Sequence, residues 1–268
     1  MSAVYPVNLF PPVQPHGVCP DCGFIRSRML ANLTFRESMR FNERIEHRSL
    51  IKRKDYLHHA GSAFKSIYLI NRGFLKTAVT DGHGREQTIG FPTAGDLIGL
   101  EAIGAGRYNC NTVALEDSRV CGMRYSHFEE LARDIPALQQ HFHRLIGQEI
   151  SRNLRMTHLL RGLGAEDRVA TFLLNLSRRF AARGSSGTRF RMPMSRRDIA
   201  SFLGLKLETV SRALSHFGNL QIIAIKSKDI EIANLARLRQ LIGNRDNRRF
   251  ALQRAASMPN AERTLTPA

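Results

Sequence analysis

No apolar run in this 268-residue chain reaches the about 18 residues that mark a membrane-spanning helix, because Arg or Lys interrupts every long stretch. The opening residues, Met1 to Pro15, lack the basic-then-apolar pattern of a secretory signal. Both absences argue against an exported or membrane protein and for a cytoplasmic one. Cysteine is scarce: four residues are too few for a disulfide scaffold and point to metal, redox or buried-thiol roles. Signatures of catalysis are missing too, with no P-loop, G-x-G-x-x-G, G-x-S-x-G or H-E-x-x-H. The clustered histidines, His58-His59 and His141/His143, read as surface or helix-face residues rather than a ligand set. The chain is therefore expected not to be an enzyme.

Acid is also in deficit. Asp and Glu number 23 against 40 Lys and Arg, a net charge of +17, which favours a polyanion as partner, either nucleic acid or an acidic membrane surface. The 43% of hydrophobic residues are enough to bury a core. The surplus is uneven: from Arg161 onward 20 Lys and Arg face 8 Asp and Glu, and no acid occurs between Asp167 and Asp198. A one-signed surface is often only a solvated face; beside a helical DNA-reading motif it is the footprint of phosphate contacts.

Along the chain, residues 1–45 read as an irregular segment, with Pro6, Pro11, Pro12 and Pro15 and a Cys19-Pro-Asp-Cys22 pair. From 46 to 125 short apolar runs alternate with glycine turns: Ser66–Ile70, Gly73–Val79, Gln87–Phe91 and Val120–Arg124. This spacing predicts an antiparallel β-roll. The period then becomes helical over 126–163, with Ser126 and Glu129 as a capping box. Ile135, Leu138, Phe142, Leu145, Met156, Leu159 and Leu163 form one apolar line, and Ile146, Ile150 and Leu160 a second. So long a stripe needs a partner surface, and we expect a dimerisation helix with Leu145, Ile146, Ile150 and Asn153 at the seam. Asn153 can hydrogen-bond to its mate where an acid would repel it. A new helix starts at Ala165-Glu-Asp-Arg168, and 244–268 read as a mobile tail.

Residues 195–217 carry the function. Ser195 caps a first helix that buries Ile199, Phe202 and Leu203; Gly204 makes the tight turn; Leu205 anchors it; and a second helix from Leu207 buries Val210, Leu214 and Phe217. Glu208, Thr209, Ser211 and Arg212 then lie near the exposed start of that second helix. Arg donates two bonds to guanine, Glu accepts from cytosine N4, and Ser reaches either edge. Arg196 and Arg197 precede it, and Ile222–Lys226 with Asp229–Ile232 make a wing hairpin around Ser227-Lys228. We assign 164–243 to a winged helix-turn-helix whose DNA contacts are Arg196, Arg197, Glu208, Thr209, Ser211, Arg212 and Lys228. A membrane-surface module would use the charge but not Glu208 and Arg212 on a helix after a glycine turn.

The order roll, long helix, winged helix-turn-helix resembles the family of cyclic-AMP receptor and fumarate–nitrate-reductase regulators, over roughly residues 15–243. Asp198-Ile-Ala-Ser-Phe-Leu-Gly-Leu205, Glu208-Thr-Val-Ser-Arg212, Asn175-Leu-Ser-Arg-Arg-Phe180, Gly95-Asp-Leu-Ile-Gly99 and Ala114-Leu-Glu-Asp-Ser-Arg-Val-Cys121 resemble its oxygen-responsive branch. The resemblance implies an α+β protein with a cyclic-nucleotide-binding-like roll, acting as a homodimeric regulator, and an activator, on double-stranded DNA with TTGAT-type half-sites. It implies RNA polymerase as a partner of the hairpin tip Asp81, Gly84 and Arg85. It also implies a 4Fe–4S cluster, with Cys19, Cys22 and Cys121 at ligand positions and Arg28 where a third N-terminal cysteine is expected; a guanidinium cannot replace a thiolate. Cys110 is the remaining thiol that can complete such a set, or a Zn²⁺ site. Alternatively, Cys110 and Cys121 are small buried hydrophobes and Cys19/Cys22 a redox pair, leaving a cluster-free or thiol-redox regulator. A cyclic-nucleotide-responsive reading is weaker, because Gly95-Asp96 stands for the expected Gly-Glu and Arg107 is followed by Tyr108.

Overall fold

The computed structural model describes residues 33–45 and 47–242. Cys19, Cys22, Arg28 and the tail 244–268 lie outside the described residues. The chain falls into two units, Met1–Arg155 and Met156–Ala268.

The first unit opens with helix α1 (Phe35–Glu43), where the sequence reading had irregular chain to residue 45. The correction has a local cause. Thr34 Oγ1 accepts the Glu37 N–H at 3.3 Å while the Glu37 carboxylate accepts the Thr34 N–H at 2.7 Å, a capping box that overrides the prolines further upstream. Phe41 is the residue α1 buries most completely.

Eight strands follow: β1 (His47–Ile51), β2 (Tyr56–His58), β3 (Ser66–Arg72), β4 (Leu75–Thr80), β5 (Glu86–Gly90), β6 (Leu97–Ile98), β7 (Asn111–Ala114) and β8 (Ser118–Arg124). They form two antiparallel four-stranded sheets, ordered β1-β8-β3-β6 and β2-β7-β4-β5, which together make the expected roll. Strand β3 is buried on both faces, so its side chains divide by the two-residue period. Ile67 and Leu69 join Cys121, Met123 and Phe41 in the cluster beneath α1. Tyr68 and Ile70 join Val120, Leu75 and Tyr108 inside the roll. At the β3–β4 turn Gly73 has φ +102°, and a Cβ there would lie 2.2 Å from Ser118 Oγ, so only glycine fits.

The long helix also needs correction. It is two helices, α2 (Tyr125–Asp134) and α3 (Pro136–Gly162), with Ile135 between them at φ −124°, ψ 88°. Pro136 lacks an N–H and pushes the residue before it out of helical conformation. The helix starts directly from β8 at Tyr125 with no side-chain cap, so Ser126 sits inside the first turn and the expected Ser126/Glu129 box does not form. Ile135, Leu138 and Phe142 pack in the cluster under α1, and Leu145 and Ile146 pack against it. The first half of the apolar stripe is thus used within the unit.

The second unit contains α4 (Ala165–Ala181), β9 (Arg189–Arg191), α5 (Arg196–Leu203), α6 (Leu207–Asn219), β10 (Ile223–Lys226), β11 (Asp229–Ile232) and a helical run at 235–242. Glu166 and Asp167 stand in the first turn of α4 and Arg178 and Arg179 in its last, matching the helix dipole at both ends. Its core is Val169, Phe172, Leu173 and Leu176 against Ile199, Leu203, Val210, Leu214 and Phe217, closed by the three-stranded sheet β10-β11-β9.

Candidate nucleic-acid interface

Helix α5 starts at a second capping box, with Ser195 Oγ accepting the Asp198 N–H at 3.1 Å and the Asp198 carboxylate accepting the Ser195 N–H at 3.0 Å. It stops at Gly204, which adopts φ 63°, ψ 40°. Leu205 N–H then reaches the Ala200 carbonyl at 2.9 Å and Gly204 N–H the Ser201 carbonyl at 3.4 Å, a Schellman ending that turns the chain sharply into α6. Ile199 and Leu203 are buried as expected; Phe202 is half-buried, with its ring 5.9 Å from that of Phe172. Leu205 is half-buried too.

On α6, Val210, Ala213, Leu214 and Phe217 face the core. Glu208 and Arg212 are exposed, and Ser211 and Thr209 half-exposed. Positions 208, 211 and 212 are three and four residues apart, so they share one helix face, turned from Val210 and Phe217. Arg196 and Arg197 are both exposed at the start of α5. Lys206 also stands out in the structure. It is the exposed N-cap of α6 and makes no side-chain cap. A cation at the positive end of a helix does nothing for that helix, and the uncapped N–H groups beside it are suited to an anion. Its position just after the turn glycine was the signal that sequence reasoning passed over.

The wing is a hairpin with Lys226 opposite Asp229 and Ser227 at φ 58°. Lys228, expected at the DNA, is half-exposed; its ammonium donates to the Pro193 carbonyl at 3.2 Å, and its backbone carbonyl accepts the Met192 N–H at 2.7 Å. The exposed cations of the wing sheet are Arg189, Arg191 and Lys226, with Arg189 paired to Glu231 at 2.7 Å.

In the roll, the tip of the β4–β5 hairpin is exposed and ordered by Asp81. Its Oδ1 accepts the N–H groups of His83 and Arg85 at 2.9 Å each, and its Oδ2 accepts Arg85 Nε at 2.8 Å. Gly84 takes φ 75° in this turn. The bonds from Arg85 hold the Asp81 carboxyl below its ordinary pKa. At the positions compared with a nucleotide cassette, Asp96 accepts the Thr93 N–H at 2.8 Å, and the exposed Arg107 donates to the Gly61 carbonyl at 3.0 Å.

Cys110 and Cys121 are both buried but lie in different surroundings. Cys121, on β8, faces the cluster beneath α1 and accepts a hydrogen bond from Asn71 Nδ2 at 3.1 Å. Cys110 directly precedes β7 of the other sheet, with Sγ 3.5 Å from Glu101 Oε1. Burial, and then the Glu101 charge, push its thiol up to about 12, so it stays protonated. Among the described residues no group of three or more His, Cys, Asp or Glu is placed to hold a metal. The expected metal set Cys19, Cys22, Cys110 and Cys121 is therefore not assembled within them. On α3, Ile150 and Leu154 are 55% and 66% exposed and Asn153 is exposed, whereas Leu145 and Ile146 are half-buried against their own core.

A double-sheet roll, a long helix and a winged helix-turn-helix with a polar reading face define a DNA-binding regulator. Residues 167–241 match the model of the Crp-like helix-turn-helix domain and residues 49–134 that of the cyclic nucleotide-binding domain. The chain is 39% identical over 229 residues to the fumarate and nitrate reduction regulatory protein of Escherichia coli, covering 85% of this chain and 92% of the other. It is 36% identical over 230 residues to the transcriptional regulatory protein btr of Bordetella pertussis, covering 84% and 95%. The structure of FixK2 from Bradyrhizobium japonicum superposes with a TM-score of 0.66 at 28% identity, over 73% of this chain and 96% of that one. The chain belongs to the CRP/FNR family of transcription regulators, which are not enzymes. Among the described residues no helix is long and apolar enough to cross a membrane.

Proposed function

We propose that the protein is a homodimeric transcription activator that lays α6 in the major groove of a two-fold symmetric site with TTGAT-type half-sites. The observation that carries this is the shared face of Glu208, Ser211 and Arg212, held outward by a fully packed opposite side and by the Gly204 turn. Arg196, Arg197, Lys206 and Lys226 flank it as phosphate contacts, and Thr209 supplies a hydroxyl. Arg212→Ala should weaken operator binding by about 1–3 kcal/mol and relax preference at one base pair, as loss of a bidentate guanine contact does. An unchanged ratio of operator to random-DNA affinity removes Arg212 from the reading set. The Asp81–Arg85 tip serves as the polymerase contact. Arg85→Glu should lower transcription activation while leaving operator affinity as it was; equal loss of both contradicts that role.

A second reading concerns control: oxygen acting through a 4Fe–4S cluster. Its support is that Cys121 lies on the sheet face covered by α1, the helix that follows the segment carrying Cys19 and Cys22. Against a four-cysteine set stand Arg28 and the placement of Cys110 before β7, in the sheet that does not contain Cys121. The ligands of this reading are Cys19, Cys22 and Cys121, with a fourth that is not Cys110. Anaerobically purified protein should then be brown, and Cys121→Ser should lose its iron while Cys110→Ser keeps it. Colourless anaerobic protein that binds DNA equally well in air leaves a cluster-free regulator.

A further inference from the structure

We infer that Arg168 is a positioning residue for DNA recognition, a guanidinium fork that locks the helix-turn-helix to the chain entering its domain. Arg168 lies in the first turn of α4, the positive end of that helix, where a cation is disfavoured. What holds it there is a pair of carbonyls. Nε donates to the Leu163 carbonyl at 3.0 Å, and Nη1 donates to the Leu203 carbonyl at 3.1 Å. Leu163 is the first residue after α3, and Leu203 is the last residue of α5 before Gly204.

Neither carbonyl sits in a helical ladder. The Schellman ending of α5 satisfies the carbonyls of Ala200 and Ser201 and leaves that of Leu203 without a helical partner. Leu163 lies between helices, where its carbonyl has no ladder to join. Arg168 therefore closes the reading turn onto the segment between α3 and α4 with two charge-assisted bonds. A Cβ at Gly204 would lie 3.8 Å from Nη1, so the guanidinium also packs beside the turn itself. Base contacts tolerate only about half an ångström of misplacement, so a reading helix gains from a support of this kind. Two donors at fixed geometry are required; a lysine offers a single charged point on a flexible stem. Arg168 is half-buried, with its Nε and Nη1 directed at protein carbonyls rather than at a phosphate.

The test compares Arg168→Gln and Arg168→Lys in the full-length protein, reading operator affinity, random-DNA affinity, the salt dependence of each, and thermal unfolding. Both variants should weaken operator binding tenfold or more. Random-DNA affinity should stay within about twofold, and the slope of log K against log salt should be unchanged, since no phosphate contact is lost. Full recovery by the lysine variant would overturn the proposal in favour of simple charge. A salt slope reduced by about one would overturn it in favour of a phosphate contact. Operator and random-DNA affinities falling together, in proportion to the unfolded fraction, would show a merely structural role. If the glutamine variant does not fold, the lysine variant decides by the same readings.

Discussion

If the proposed homodimer joins through α3, Ile150→Glu should convert it to a monomer and abolish operator binding while the protomer stays folded. Ile150 and Leu154 are large apolar side chains left 55% and 66% exposed on α3, one helical turn apart. The same helix buries Leu138 and Phe142 completely or nearly so in its own unit, so it is at Ile150 that the stripe ceases to be covered by its own chain. In a two-fold seam a glutamate at 150 meets its own copy, and two uncompensated carboxylates held out of water cost several kcal/mol. In the free protomer the same side chain points into solvent, where substitutions change stability by about 0.5 kcal/mol or less. Operator binding fails because each protomer holds one half-site and the two are no longer linked. Sedimentation, circular dichroism and operator titration measure the three effects. A mutant that remains dimeric shows that the dimer seam of this protein lies elsewhere.

Stability of the roll should fall by about 3 kcal/mol between pH 6.5 and pH 4 because of one histidine. His58 on β2 is 7% exposed and its ring stacks on Tyr108 at 3.9 Å between centroids. Burial pushes its imidazole down to about 4; a hydrogen bond with the Cys110 backbone opposes this, and the nearby charge of His59 adds slightly to it. The unfolded chain protonates this histidine below about 6.5, whereas the folded one resists until about 4. Between those values the unfolded state binds more protons, so stability is full above pH 6.5, declines as pH falls, and levels off below 4. His58→Phe keeps an aromatic ring against Tyr108 and removes the proton site. Denaturant unfolding across this range should be steeper in pH for the parent than for the phenylalanine variant. Parallel curves would mean that His58 is already accessible to protons in the folded roll.

Much of this was legible in the sequence where short-range chemistry decides. Ser195 with Asp198, Gly204 and the spacing of Val210, Leu214 and Phe217 specify the helix-turn-helix from bonds made within a few residues. The turn glycines and apolar runs likewise located β3, β4, β5 and β8, and Gly164 with Glu166 and Asp167 located the start of α4. Two errors were also local. Thr34-x-x-Glu37 is a capping signal that four upstream prolines obscured, and the apolar period running past residue 135 masked the break that Pro136 imposes.

What the sequence could not decide depended on distant partners. The bond from the Lys228 ammonium to the Pro193 carbonyl and that from Arg107 to the Gly61 carbonyl join residues 35 and 46 positions apart, beyond the reach of local pattern. Cys110 and Cys121 are eleven positions apart in the chain, yet one precedes β7 and the other lies on β8, in separate sheets. The role of Arg168 was equally hidden, because Leu203 is 35 residues away. By itself the sequence determined the winged helix-turn-helix, the roll and the basic character of the protein, since periodicity, caps and net charge are properties of neighbouring residues. Only the tertiary structure decided which cations and thiols are free to act, because a side chain's availability is set by the carbonyls and charges that folding places around it.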